Sequence, residues 1–348
     1  MVLGFFIDLM ERGLLPQSCI RWGIRHLCHT RLKSLASDNP EQEQERDSRY
    51  IQELKQSAIA FATQKANQQH YEIPAEFYNL VLGPRRKYSS GFWPENCQSL
   101  AESEDQALEI SIQRAEIEDG MSILDLGCGW GSMTLKLAEM FPNANIKALS
   151  NSSSQREFIM AEAQRRGFMN IQVVTGDISV FAGQGWESTF DRVVSIEMLE
   201  HVRNYEALFE KISGWLKPGG KMFVHIFSHR QHAYPFDVEG EDNWMGRYFF
   251  TGGQMPSHHL LTRFQKHLLL EDEWAWSGRH YQKTSEAWLR NMDLHRGQIL
   301  EIFKKVYGEN EASRWLERWR VFFMSCAELF GYRQGREWGV SHYRFVKR

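Results

Sequence analysis

Between residues 121 and 228 short apolar runs alternate with amphipathic stretches, and this alternation constrains the fold more than any other feature of the chain. SILDLGCG (122–129), NIKALS (145–150), NIQVVTGD (170–177), FDRVVSIEML (190–199) and KMFVHIF (221–227) each read as a strand. Between them, Ser132–Phe141, Ser153–Arg166 and Tyr205–Leu216 carry helical periodicity; Gly167 ends the second and Pro218-Gly219 stops the third. Strands and helices in this order form βαβ units with right-handed crossovers, so the expected core is a parallel sheet flanked by helices.

The remaining chain is an addition to that core. The 348 residues are long for one compact domain and short for two. Residues 1–36 alternate apolar side chains (Phe5, Leu9, Leu14, Ile20, Ile24, Leu27) with Arg12, Arg21, Arg25 and Arg31. This predicts an amphipathic helical segment packed on the body, with membrane-surface contact through the basic face as the lesser reading. SDNPEQEQERDSR (37–49) has no apolar residue and reads as a solvated linker or helix entry, with a boundary there. Helices are expected over Ile51–Gln68 and Ser103–Glu116, with a break at Pro74 and the loop LGPRRKYSSGFWPEN between them. Residues 229–267 and 284–331 look mainly helical and aromatic. LLLEDEWAW (268–276) and WGVSHYRFVK (338–347) would add an antiparallel strand pair at the edge of the sheet.

The formal net charge of -3 gives no global basic field for nucleic acid. Five scattered cysteines, none in metal-ligand spacing, suit reduced thiols in a cytoplasmic protein. The apolar start carries Asp8 and Glu11 and makes a poor signal peptide, and no uncharged apolar stretch is long enough for a membrane span.

The candidate binding loop is Asp125-Leu126-Gly127-Cys128-Gly129-Trp130-Gly131, which follows a strand and opens a helix. Glycines there let backbone pass close to a ligand. A dinucleotide fingerprint needs G-x-G-x-x-G with pyrophosphate on the helix N-terminus; here the spacing is G-x-G-x-G. Asp125 ahead of it would repel a pyrophosphate but accept from an ammonium, which suits an amino-acid cofactor. Where a ribose-binding acid is usual, the second strand ends in Ser150-Asn151, and a neutral Asn still bonds hydroxyls. Gly176-Asp177-Ile178 fits adenine, with Asp177 accepting from the exocyclic amine and Ile178 on the ring; Asp177 as a simple helix cap is the competing reading.

DLGCGWG, LSNSSSQ, GD, EMLEHVRNY and LKPGG together resemble the cyclopropane-fatty-acid synthase-like methyltransferases. HYEIPAEFYNLVLGPRRKYSSGFW (70–93), RYFFTGGQMPS (247–257), HYQKTSEAWLRNMD (280–293) and ELFGYRQGREW (328–338) are similar to the coclaurine N-methyltransferase branch. The resemblance spans roughly residues 45–348. It implies a class I methyltransferase, Rossmann-like α/β fold with a mostly parallel seven-stranded sheet, N-terminal helices and a helical acceptor-binding insertion. It also implies S-adenosylmethionine as cofactor, with contacts by position at Tyr88, Ser89, Gly127, Gly129, Asn151, Gln155, Asp177, Ile178 and Ile196; Tyr88 and Ser89 would close over the sulfonium. Four regions follow: an N-terminal segment (1–49), a cofactor-covering segment (50–118), the cofactor-binding core (119–228), and the insertion with terminal strands (229–348).

Methyl transfer depends on holding donor and acceptor in line, and an amine acceptor must shed its proton. Glu197-Met198-Leu199-Glu200-His201 lies at the C-terminal end of the fourth strand, where open α/β sheets bind ligands. By resemblance Glu200 meets the amine, His201 takes the proton or a bridging water, and Glu197 is a supporting acid. Trp244, Tyr248, Phe249, Trp288, Trp319 and Phe322 are candidates for an aryl-amine pocket, where ring faces would hold a cation. Asp237, Glu239, Glu241 and Asp242 read as a solvated loop, or as a steering patch for such an amine.

The alternative is cyclopropanation of an unsaturated lipid, in which a bound bicarbonate framed by Cys, Glu, His and Tyr removes a proton. Glu200, His225 and Tyr281 match that frame, but Ser90 replaces its Cys; Cys326, amid Phe322, Phe323 and Phe330, reads as a buried apolar thiol. A silent cofactor-binding scaffold is the third reading, and the Glu200-His201 pair argues against it. The expected partner is a small-molecule amine, without nucleic acid, metal or membrane span, with peripheral membrane contact possible through 1–36, in a monomer or homodimer.

Overall fold

The computed structural model describes residues 2–36, 39–60, 73–240 and 243–348. A seven-stranded sheet forms its centre, in the order β3-β2-β1-β4-β5-β9-β8. The strands are β1 (Ser122–Leu126), β2 (Asn145–Ser150), β3 (Ile171–Thr175), β4 (Phe190–Ile196), β5 (Leu216–His229), β8 (Leu269–Ser277) and β9 (Trp338–Val346); two-residue strands β6 (Tyr234–Pro235) and β7 (Gln254–Met255) pair separately. β1 to β5 run parallel. β9 runs antiparallel to both β5 and β8. The expected terminal strand pair is therefore present at the antiparallel edge, with β9 beside β5 and β8 outermost.

The order reverses between β1 and β4, so the loops leaving their carboxyl ends splay apart and open a crevice. The glycine loop leaves β1 there, and Glu197–His201 leaves β4. Helices Ser132–Met140, Ser153–Arg166 and Tyr205–Trp215 cover the faces, and their starts are set locally. Ser152 accepts from the Gln155 N–H and Asn204 from the Ala207 N–H, satisfying donors the first turn leaves open.

The helix Pro40–Gln56 begins at Asn39, whose side chain accepts from the Glu41 N–H. It runs through the boundary expected at 49, because charged residues with a Pro at the first position make a good helix start as readily as a linker. The helix expected over Ile51–Gln68 stops at Gln56; residues 61–68 lie outside the described residues, as does the start of the 70–93 motif. The helix Leu100–Arg114 precedes β1.

Helices Val2–Glu11 and Gln17–Leu35 pack on the insertion helix Ala312–Gly331, and an ion pair ties the second of them to the helix Gly278–Leu294. Two of their arginines pair with acids of the insertion. Arg21 pairs with Glu286 (2.6 Å) and Glu328 (2.9 Å), and Arg25 with Glu328 (2.8 Å). Glu11 accepts from Trp244 Nε1 (2.9 Å) and Arg318 (2.8 Å). Ile20, Cys28, Leu35, Trp288, Trp319 and Phe322 share one apolar cluster, so the N-terminal segment and the insertion form a single body. Among the described residues, no helix is long and apolar enough to cross a membrane.

Candidate active site

Two cavities meet at the carboxyl ends of the parallel strands. The first is lined by the loops after β1, β2 and β3: Gly127, Gly129, Ser150, Asn151, Gln155, Gly176, Asp177 and Ile178, with Met198 and His201 from the turn after β4. Gly127 and Gly129 take left-handed backbone angles, φ 81° and 52°. A Cβ on Gly129 would project into open space, which leaves the loop backbone bare toward a ligand. Gln155 is buried; its Oε1 accepts from Ser150 Oγ (2.6 Å), while its Nε2 finds no partner among the described residues. A buried amide donor left open in a glycine-cradled cleft awaits an acceptor from a ligand. Asp177 lines the same cleft and accepts from the Ser179 N–H and Oγ through Oδ1, so it closes a local turn and faces the cavity at once. This donor and acceptor set fits the nucleoside and amino-acid parts of S-adenosylmethionine.

Other expected cofactor contacts sit elsewhere. Asp125 is buried behind the loop, bonded to Thr134 Oγ1 (2.6 Å), and burial pushes its carboxyl up to about 6. It supports the turn from beneath and does not line the cleft. Ser89 is buried too, accepting from Lys87 Nζ (2.6 Å). Tyr88 lines the second cavity, packed between Tyr78 and Trp288. Ile196 pairs with His225 in the sheet and packs on the core beside β1.

The second cavity holds about 1040 Å³. Glu197, Glu200, His201 and Tyr281 form its polar end. Trp244, Trp288, Phe322, Phe227, Phe250 and Phe330 supply aromatic walls, and the two N-terminal helices close one side with Ile7, Met10, Ile20, Ile24 and Cys28. Of the six aromatic residues expected there, Trp244, Trp288 and Phe322 line it, while Phe249 and Trp319 lie fully buried behind and Tyr248 packs against Arg318. Asp237 reaches the cavity wall; Glu241 and Asp242 lie outside the described residues.

The acids differ in their surroundings. Glu197 adopts φ 47°, a strained left-handed conformation for a residue with a side chain, directly after β4. Its N–H donates to His225 O (2.8 Å). Its Oε1 accepts from the Ser90 N–H (3.0 Å) and His225 Nε2 (3.1 Å), and its Oε2 from Tyr281 Oη (2.6 Å). Glu200 is buried nearby with Oε2 unpartnered among the described residues. Burial raises both carboxyls. The donors and the Lys87 cation pull Glu197 back, whereas the Glu197 charge drives Glu200 well above the ordinary range. Glu200 is therefore the member of the pair with the higher affinity for a proton, and Glu197 the member better held as a carboxylate. His201 stacks on Phe250 and lines both cavities; burial takes its imidazole down to about 4, so it is neutral at physiological pH. Cys326 lines the second cavity, but burial holds its thiol far above the thiolate range. Lys87, Met198 and His342 were not singled out by sequence: the Glu197 that Lys87 acts on, the Gly127 that Met198 packs against and the His225 that His342 faces are all distant in the chain.

A glycine-cradled cleft on a class I sheet, opening onto an acid-lined aromatic cavity, is the architecture of an S-adenosylmethionine-dependent methyltransferase. The profile of the mycolic acid cyclopropane synthetase family matches residues 60–336, and the chain belongs to that family. The (S)-coclaurine N-methyltransferase of Thalictrum flavum subsp. glaucum is 34% identical over 343 residues, covering 97% of this chain and 94% of that protein. A crystal structure of coclaurine N-methyltransferase bound to N-methylheliamine and SAH superposes with a TM-score of 0.96 at 33% identity, covering 100% of both chains. The cyclopropane-fatty-acyl-phospholipid synthase of Escherichia coli is more distant, 25% identical over 80% of this chain and 68% of that protein.

Proposed function

We propose that this S-adenosylmethionine-dependent N-methyltransferase methylates the nitrogen of a small aromatic, alkaloid-like amine in the 1040 Å³ cavity. One observation carries the reading: the buried Glu200 Oε2 lacks a partner at the polar end of an aromatic cavity. A buried carboxyl oxygen left unbonded is costly, and an amine N–H is the group that satisfies it. The volume lies at the upper end of small-molecule sites, typically ~300–1,000 Å³, and suits a polycyclic aryl amine better than a bare methylamine.

S-adenosylmethionine, when bound, supplies an electrophilic methyl group on sulfonium. The protein's part is to present a neutral nitrogen to it. Glu200, its affinity for protons raised, holds the proton an ammonium must give up and frees the lone pair. Glu197, fixed by three donors, keeps its negative charge beside a nitrogen that becomes cationic as the bond forms. Neutral His201, at the junction of the cavities, accepts from the amine or from a bridging water. The aromatic walls exclude bulk water and offer ring faces to the cationic product.

The lipid-cyclopropanation reading needs His225, Tyr281 and a residue at position 90 to frame an anion. Here His225 and Tyr281 both donate to Glu197, and Ser90 Oγ donates to Gly91 O (3.0 Å). Those donors are spent on a side chain. The test is a panel of aryl amines and unsaturated phospholipids with methyl-labelled cofactor. Label is expected on amine nitrogen, and Glu200→Gln should keep cofactor affinity while losing about 100-fold or more in turnover. Label in phospholipid alone, or full turnover in the variant, would remove the assignment.

A further inference from the structure

Behind Glu197, a hydrogen-bonded line of three side chains crosses the sheet. Arg114 Nη1 lies 2.7 Å from His342 Nδ1, His342 Nε2 lies 2.8 Å from His225 Nδ1, and His225 Nε2 lies 3.1 Å from Glu197 Oε1. Arg114 ends the helix Leu100–Arg114, His342 is central in β9, and His225 faces it across the register in β5. We propose that Arg114 and His342 are positioning residues that act through His225 to lock Glu197 as the carboxylate of the acceptor site. The proposal rests on the reading that the Glu197–Glu200 pair receives the amine.

Donor arithmetic carries the argument. Guanidinium has donors only, so His342 Nδ1 must accept and His342 bears its proton on Nε2. That N–H points at His225 Nδ1, which must accept in turn, leaving the His225 proton on Nε2, aimed at Glu197. One cation at the end of a helix thus fixes two tautomers and delivers a donor to a carboxylate on another strand. Both imidazoles are fully buried, so no water competes for their nitrogens. Burial also holds both well below the ordinary imidazole range, so they remain neutral and the direction is preserved. Arg114 is braced by the faces of Trp274 (4.7 Å) and Trp276 (5.7 Å). Burial lowers it only to about 10, so it stays cationic at neutral pH.

Without the cation, His342 is free to flip its proton to Nδ1, and His225 can follow. An imidazole lone pair would then face Glu197 Oε1, and the carboxyl would gain a proton to relieve the repulsion. The other groups around Glu197 are Lys87 from the preceding loop, Glu200 from its own turn, and Tyr281 and Cys326 from the insertion helices. Lys87 also favours the charged form, so losing the relay should shift the balance without abolishing it.

The experiment has two readouts on the full chain. In ¹⁵N-histidine-labelled protein at pH 7, His225 and His342 should both show Nε2–H tautomers. Arg114→Met and His342→Leu should convert His225 to a mixture or to Nδ1–H, and Arg114→Lys, which keeps a charged donor, should largely restore it. The acid limb of kcat/KM should move up by about one pH unit in Arg114→Met and His342→Leu, and return toward its original position in Arg114→Lys. An Nδ1–H tautomer at His225 in the unaltered protein overturns the proposal. So does an unmoved acid limb in two folded variants. The tautomer readout needs no acceptor, so a failed amine assignment is told apart from a failed relay.

Discussion

Gly127 and Gly129 both sit at positive φ, yet a side chain would meet different things at each. A Cβ on Gly127 would lie 2.5 Å from Met198 Cγ, whereas one on Gly129 meets nothing within 4 Å. The glycine spacing was legible in the sequence because a strand-to-helix turn is local chemistry. Which glycine serves packing and which serves the ligand was not, because Met198 comes from the turn after β4, distant in the chain. The same holds for Asp125: its position before the loop suggested a ligand contact, and only the tertiary contact with Thr134 shows it supporting the turn. The distinction is measurable. Gly127→Ala should destabilise the fold by about 2 kcal/mol or more, from left-handed strain plus the clash. Gly129→Ala should cost only the ~1–2 kcal/mol of left-handed strain but weaken cofactor affinity about tenfold, as its methyl enters the cleft. Calorimetric titration with SAH alongside urea denaturation separates the two, and equal affinity loss per unit of stability lost would merge them.

Elements with a clean period were readable, and those whose limits depend on partners were not. All five parallel strands fall where the sequence placed them, but β5 begins at Leu216, ahead of the expected 221, because Leu216 pairs with Phe190 of β4. The charged run 37–49 read as a linker or a helix entry, and its composition alone did not choose between them; the helix Pro40–Gln56 makes it the entry. The helix Leu100–Arg114 carries a buried device that its sequence does not advertise. Glu104 accepts from the N–H groups of Gly83 (3.0 Å) and Arg85 (2.9 Å), tying the loop that leads to Lys87 and Tyr88. Burial pushes its carboxyl from 4.5 up to about 7. A carboxyl raised in the folded state binds its proton more tightly there than in the unfolded chain. Its stabilising effect is therefore full below about pH 4.5 and is lost as pH rises through about 7, a swing of about 3 kcal/mol. Urea denaturation of the unaltered protein and Glu104→Gln at pH 5 and pH 8 should show the former's advantage shrinking by up to that amount. An identical gap at both pH values would mean the group does not titrate in that window.

At the scale of the molecule, the large cavity proposed to take the acceptor is lined from both ends of the chain. The N-terminal helices read in sequence as amphipathic with a basic face, which left packing and membrane contact both open. The structure turns Arg21 and Arg25 onto Glu286 and Glu328, so two of the arginines that suggested a membrane face instead clamp the helix Gln17–Leu35 to the insertion. That clamp sets the cavity's width, because Ile20, Ile24 and Cys28 on the same helix form its wall. Arg21 is half-buried and bonds two carboxylates, so replacing it leaves both without their shared cation. Partly buried arrangements of this kind are worth more than exposed pairs at ~0–1 kcal/mol because the stranded acids remain desolvated. Arg21→Met should therefore let the wall shift while the nucleoside cleft, built on β1 to β4, stays as it is. The expected kinetic result is an amine KM raised several-fold with the cofactor KM unchanged and kcat reduced less than KM rises, since the wall contributes to ground-state and transition-state binding alike. Glu286→Gln combined with Glu328→Gln should relieve much of that defect by removing the unpaired charges. If Arg21→Met instead raised the KM for cofactor and amine together, the N-terminal helices would be bracing the sheet, and the separation of the two cavities into independently built sites would fail.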